Sequence, residues 1–501
     1  MEPGRPDHRH QHPGDLGTDP GVEDPGGRKG GGTGMSSLLK PWKQRRFSGE
    51  ENGGRTGLVF FPAFDWAISP THPEREERLL YTKDQIFEEG LMDLPQVIEY
   101  KAGVAAKKDI ARVHFCVPDV RSQITDAHLI AVGGALVLAD AFMLGEVNNA
   151  FALVRPPGHH AMQVVHGNRG FCNINNEAIM VEYLRHHYGI RRIAIVDTDV
   201  HHGDGTQEIF YHDPDVLFIS FHQDGRTLYP GSGFINEFGG PGAIGSTVNI
   251  PLPPGTTDAG IHYVLDNLVM PMLKEFDPDL VVNSAGQDNH FTDPLANMAW
   301  TAGGYALLNQ KLHPDIAVLE GGYAVETALP YVNTGIILAM AGLDYSWVKE
   351  PELMSNRRSS SDSVSSQVKK VVEDIQKLWE SRKELGAAMR EKVGSMYFQE
   401  KRIYYDTDNI SEEQKVWVRI CERCPGYMKI QSRAYPGHGS FGQILGISVS
   451  KYACPHCQEE GTAAYQEAKE NQRNTDYLYL QDKSTETYFR YDTEIKREEK
   501  Y

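Results

Sequence analysis

The sequence predicts a three-layer α/β/α domain on a central, mainly parallel sheet, followed by a small cysteine-rich module. Three observations carry this. Short, continuous apolar runs recur from about residue 58 to residue 347, as strands buried on both faces require. Helical patterns fall between several of these runs, and alternating strand and helix implies a sheet covered on both sides. Two CxxC pairs then appear near the C-terminus, in a chain with six cysteines in all.

Taken in order, residues 1–54 are expected to be disordered. The first 34 hold 10 Gly and 5 Pro and no aromatic residue, so they bury too little surface to offset their ordering entropy. The α/β domain is placed at 55–348. Runs at 151–154, 193–196, 216–219, 247–250, 280–282 and 316–319 read as its strands, and 176–187 and 259–276 as helices. A Ser-rich linker at 349–367 follows, with 7 Ser between residues 355 and 366. Residues 368–395 read as one amphipathic helix, with Val368, Val371, Val372, Ile375, Leu378, Leu385 and Met389 at helical spacing. The cysteine module is placed at 416–460 and a polar tail at 461–501.

Composition narrows the function. Hydrophobic residues make up 40% and charged residues 24%, ordinary for a globular protein. The net charge of −18 argues against broad nucleic-acid binding. The longest nearly apolar run, 129–139, is well short of the roughly 20 residues that span a bilayer, so no membrane partner is expected. The N-terminus lacks the apolar stretch of a secretory signal. With scarce cysteine, paired as CxxC, a reducing compartment follows. The expected localisation is cytoplasmic, or nuclear in a eukaryote.

Ligands of an open α/β sheet bind beyond the carboxyl ends of its strands. Those ends hold nearly all the unusual polar residues: His159 and His160 after the 151–154 run, Asp197 to Asp204 after 193–196, Ser220 to His222 after 216–219, Asp288 after 280–282 and Tyr323 after 316–319. Asp199 and His201 are separated by one residue, so in an extended segment both point the same way. With Asp288 as a third ligand they suit a divalent metal with an open position, the mark of a catalytic site. A histidine beside such a metal can take a proton from water, and Asp197 and Asp204 are candidates to orient the two histidines. Tyr323, after two glycines, could donate to a developing oxyanion. Phe171, Phe221 and Leu295 could line an apolar slot.

These motifs resemble the zinc-dependent histone deacetylase family, including its bacterial and class II-like members. The resemblance rests on Arg155-Pro-Pro-Gly-His-His-Ala161, Gly170-Phe-Cys-Asn-Ile-Asn-Asn176, Asp197-Thr-Asp-Val-His-His-Gly-Asp-Gly205, Gly286-Gln-Asp288 and Glu320-Gly-Gly-Tyr323. His72-Pro-Glu-Arg75 resembles the family's N-terminal element. The resemblance implies the arginase-like fold with an eight-stranded sheet. It further implies Zn²⁺ on Asp199, His201 and Asp288, with His160 as general base and His159 as its electrostatic partner. Asp197 and Asp204 would orient the histidines, and Tyr323 would polarise the acyl carbonyl. Gly170, Phe171, and Phe221 or His222 would flank the substrate channel. A monovalent cation, K⁺, is implied at Asp197, Asp199, His201, Ser220 and Phe221. Some members carry His in place of the Tyr and are nearly inactive, so Tyr323 argues for activity. Polyamine-selective members carry Glu after the downstream Asp-Pro pair; here Asp293-Pro294 is followed by Leu295. One departure is Gln287, where Phe is common.

Cys421, Cys424, Cys454 and Cys457 form CxxC…CxxC, which reads as a structural zinc ribbon. Gly437, Gly439, Gly442 and Gly446 in the spacer suit a β-hairpin. The resemblance does not reach this region. The expected activity is therefore zinc-dependent hydrolysis of N-acetyl-lysine amides in proteins, with no nucleic-acid partner through the catalytic domain and a ribbon able to bind a protein. The alternatives are an amidohydrolase on small acetylated amines such as acetylpolyamines, and a scaffold recruited through the ribbon.

Overall fold

The computed structural model describes residues 54–351, 360–436, 442–471 and 475–501. The expected disorder of the N-terminal segment, the middle of the expected linker, and Gly437 and Gly439 lie outside the described residues.

An eight-stranded, wholly parallel sheet forms the first part of the molecule. Its strands are β1 (Thr56–Phe61), β2 (Val97–Tyr100), β4 (Asn149–Val154), β6 (Ile193–Asp197), β7 (Val216–Gln223), β8 (Thr247–Leu252), β9 (Leu280–Ala285) and β10 (Ile316–Leu319). The spatial order is β2-β1-β4-β10-β9-β6-β7-β8. The six runs read from the sequence are all strands, and β4, β6, β7, β8, β9 and β10 are buried along their whole length. That is why their apolar runs are continuous. A two-stranded parallel pair, β3 (Phe115–Cys116) and β5 (Val164–Val165), sits apart.

Helix Asp126–Met143 is long and apolar enough to cross a membrane, with a mean hydropathy of 1.5, but 72% of it is buried inside the protein. It packs on β1 and β4 and against helix Asn176–Tyr188, and that covering accounts for its apolarity. The helix expected at 259–276 is interrupted. A π-turn at Leu265–Val269 separates Asp258–Val264 from Met270–Phe276. Pro271 has no N–H to give to the carbonyl of Asn267; Gln376 Nε2 donates to that carbonyl instead, at 2.9 Å.

The C-terminal third corrects the expected boundaries. The amphipathic helix starts at Asp362, inside the expected linker, because Ser361 caps it by accepting from Val364 N at 3.2 Å. Val368, Val372, Ile375 and Trp379 bury its stripe against the α/β domain. It ends at Glu380, and a second helix, Arg382–Val393, leaves Leu385 exposed.

The cysteine module is the middle of a seven-stranded sheet, which begins before it at Met396 and whose last three strands lie in the expected polar tail. Strands β11 (Met396–Tyr405), β12 (Ile410–Arg419), β13 (Tyr427–Pro436), β14 (Gln443–Val449), β15 (Tyr477–Asp482), β16 (Thr487–Asp492) and β17 (Arg497–Lys500) pair in chain order. All pairs are antiparallel except β14–β15, which is parallel and joined through helix Pro455–Asn471. Strands β11 and β12 alternate between more and less exposed positions, but polar residues share the buried face: on β12 Ile410, Glu412, Gln414, Val416 and Val418 all point inward. Hydrophobic patterning is therefore diluted. The inward polar groups are partnered at the seam with the α/β domain. Tyr405 Oη, with one proton to donate, lies 2.9 Å from Glu412 Oε2 and 2.8 Å from the Val164 carbonyl, and His166 Nε2 lies 2.8 Å from Ser432 Oγ. Beside them Phe115, Val117 and Val164 pack on Val416, Val418, Ile430 and Ile444.

Candidate active site

The carboxyl ends of β4, β6, β9 and β10 are neighbours, so the loops that follow them converge. Asp199, His201 and Asp288 bring their ligand atoms within 4.8 Å of one another. His201 Nδ1 lies 3.1 Å from Asp199 Oδ1 and 3.0 Å from Asp288 Oδ2. Both carboxylates are wholly buried. Two buried like charges need a cation. Burial opposes charge on His201, yet the two carboxylates hold its imidazole up at about 10. The space is held open by glycine. A Cβ on Gly321 would collide with both Asp199 and Asp288, and one on Gly286 with Asp199. Gly321 N also donates to Asp199 Oδ2 at 2.7 Å.

The adjacent histidines have different environments. His160 Nδ1 donates to Asp204 Oδ1 at 2.8 Å, leaving Nε2 as the available base. Burial, reinforced by His159, pushes its pKa down to about 3. His159 Nδ1 donates to Asp197 Oδ2 at 3.1 Å. Burial opposes its charge too, but Asp199 and Asp197 outweigh it and hold it well above the usual imidazole range. Burial also raises the Tyr323 phenol well above its ordinary value, so it stays protonated and able to donate.

These groups open onto a cavity of about 240 Å³, lined by Pro157, His159, His160, Gly170, Phe171, His201, Leu228, Tyr229, Leu295, Tyr323 and Asp406. Phe171 adopts φ 70, a left-handed conformation that costs a bulky residue about 1–2 kcal/mol. Its ring stands edge-on to His72 and Tyr323, with centroids 4.3 and 5.5 Å away.

Of the residues expected at the channel, Gly170, Phe171 and Leu295 line the cavity. Phe221 and His222 do not, which corrects that expectation. β7 runs on to Gln223, so both remain in the sheet, paired with Ile250 and Pro251 of β8. His222 is occupied by Ser220 Oγ at 2.9 Å and the Gly233 carbonyl at 2.8 Å. The wall on this side comes from the following turn, as Leu228 and Tyr229.

Other partners escaped the sequence reading. Arg169 forks onto Asp204, at 2.7 and 2.6 Å, behind His160. Its place just before Gly170-Phe171 is the one signal that could have marked it. Glu74, from the His72-Pro-Glu-Arg75 motif, is buried between Arg155 and Arg78. Arg78 in turn donates to the carbonyls of Gly322, at 2.8 Å, and Glu320, at 2.6 Å, fixing the loop that carries Tyr323. Glu320 Oε2 accepts from the amides of Gly158, at 2.7 Å, and His159, at 3.0 Å.

An α/β sheet that brings two buried carboxylates and an imidazole within ligand distance, beside a pair of histidines, has the groups of a metal-dependent hydrolase. Sequence comparison makes this specific. The profile of the Histone deacetylase domain matches residues 118–339. A "Probable deacetylase" of Archaeoglobus fulgidus is 45% identical over 356 residues, covering 64% of this chain and 97% of that protein. "Histone deacetylase 14, chloroplastic" of Arabidopsis thaliana is 40% identical, over 40% of this chain and 49% of its own. A crystal structure of the HDA15 HD domain superposes with a TM-score of 0.56 and 28% identity, over 68% of this chain and 98% of its own. The chain belongs to the histone deacetylase family and is a hydrolase acting on acetyl amides. Membership implies a catalytic zinc, which the set Asp199, His201 and Asp288 fits.

A second cluster lies at the far end of the C-terminal sheet. Cys421, Cys424, Cys454 and Cys457 bring their sulfurs within 4.8 Å. All four are free thiols. The first pair sits in the β12–β13 turn, the second at the start of helix Pro455–Asn471. The backbone amide of Cys457 pulls the Cys454 thiol down to about 6. Four thiolates with no open position suit a structural zinc.

Proposed function

We propose that this protein removes acetyl groups from lysine side chains of proteins. The observation that carries the reading is the composition of the cavity: His160 and Tyr323 face one space with His201, and Phe171 and Leu295 give it an apolar wall for the alkyl chain of an acyl-lysine.

Asp199, His201 and Asp288 would hold the zinc. Bound there, zinc supplies positive charge beside the acyl oxygen and acidifies water at neutral pH. His160 Nε2 takes the proton of the attacking water, with Asp204 and Arg169 fixing the ring. Tyr323 Oη donates to the acyl oxygen as negative charge builds on it. His159, held by Asp197, keeps positive charge at the floor of the site. His160 then passes its proton to the leaving lysine amine, the C–N bond breaks and acetate departs. A potassium ion belongs to the same reading, at Asp197 and Ser220, which face each other on β6 and β7. The Cys-bound zinc is assigned a structural part, on a sheet able to dock a protein.

The test is a screen of acetyl-lysine peptides, longer acyl-lysine peptides and acetylpolyamines, with and without a chelator. Chelator-sensitive hydrolysis of acetyl-lysine peptides above the others is expected. Preference for acetylpolyamines would overturn the assignment to proteins.

A further inference from the structure

The catalytic cavity has one wall that the α/β domain does not supply. Asp406 stands at the tip of the β11–β12 hairpin and lines the cavity with Phe171 and Tyr229. Its Oδ1 accepts from Gly170 N at 2.9 Å and from Tyr229 Oη at 3.0 Å. Next to it, Asp408 Oδ2 accepts from Asn168 N at 2.6 Å. The tip is fixed from behind by Tyr405, buried between Val164 and Glu412.

Charge is the telling feature. Asp406 is the one carboxylate among the cavity-lining residues. It is exposed, and among the described residues no lysine or arginine pairs with it. The nearby Arg169 is taken by Asp204. Oδ1 is committed to the wall, and Oδ2 accepts no hydrogen bond from the described residues.

Building on the deacetylase reading, we propose that Asp406 is a specificity-determining residue: it favours acylated amines that carry a positive charge beside the channel mouth. The cation can belong to a basic residue flanking the acetyl-lysine or to the free amine of an acetylated diamine. In this way the C-terminal sheet takes part in substrate selection.

The test uses the zinc-loaded full chain. Acetyl-lysine peptides differing only in one flanking residue, Arg or Glu, are compared with the pair N-acetylputrescine and N-acetylbutylamine. The wild-type ratio of kcat/KM for the Arg over the Glu peptide is expected to be roughly threefold to fivefold, the scale of one exposed charge pair, and to shrink in 1 M salt. Asp406→Asn keeps an acceptor for Gly170 and Tyr229 while removing the charge, so it should bring the ratio close to one. Asp406→Lys should invert it. A putrescine advantage lost in the same variants places the cation on a free amine; an effect confined to the peptides places it on the flank. Ratios unchanged in both variants would overturn the proposal. Calorimetric binding of the same ligands reads the preference without turnover. Absence of hydrolysis from every amide would therefore count against the deacetylase reading alone, and Asp406 would still be judged by binding.

Discussion

The two sheets of this protein each carry a cluster of metal-ligating side chains, and they do so in opposite ways. In the parallel sheet the ligands come from loops after separate strands, number three, and are mixed oxygen and nitrogen. They open onto a cavity of about 240 Å³. In the C-terminal sheet four sulfurs close on one point, between a turn and a helix start. An incomplete shell leaves room for a substrate, whereas a complete one holds chain segments together. The same contrast holds for the polypeptide. The strands of the parallel sheet are predominantly apolar, and the metal-ligating groups gather beyond their carboxyl ends. The C-terminal sheet carries polar residues on its buried face and uses them to dock.

Five variants probe this contrast. The largest effect belongs to Asp288→Ala, which removes a ligand from the open cluster. Activity should fall to background, and metal analysis should show the Cys-bound zinc retained. Cys421→Ser breaks the closed cluster instead. The lost metal-binding free energy is on the order of 10 kcal/mol, as in small zinc domains. Thermal unfolding followed in the C-terminal sheet should show a distinct early transition. Tyr323→Phe keeps both metals and removes one donor, so kcat should drop about 10²- to 10³-fold. Asp204→Asn removes the carboxylate that orients His160, and a loss of about 10- to 100-fold in kcat/KM is expected from steady-state kinetics. The smallest effect is that of Lys401→Ala, which deletes a 3.4 Å ion pair to Glu208 across the seam. It should cost under about 1 kcal/mol in denaturant unfolding.

The two regions were also unequally legible. Continuous apolar runs such as 193–196 and 316–319 name buried parallel strands, and the polar residues directly after them name the site. The half-buried edge strand β2 has no such run. The C-terminal strands were hidden because Glu412, Gln414 and Ser432 occupy buried positions where a pattern reader looks for apolar residues. Within the site, Asp199, His201 and Asp288 could be read because residue type and strand-end position agree. No local pattern shows that β7 continues to Gln223 and keeps Phe221 and His222 in the sheet. Asp406 could not be read at all. It meets Gly170 across 236 residues of sequence, through a docking contact that no local pattern encodes.

The central claim is a cation gripped by two aspartates and one imidazole at the strand ends. Anomalous diffraction at the zinc edge, from crystals of the zinc-loaded protein, tests it most directly. The account predicts a strong peak between Asp199, His201 and Asp288, distinct from a second peak among the four cysteines. A peak at the cysteines with none between those three side chains would contradict it.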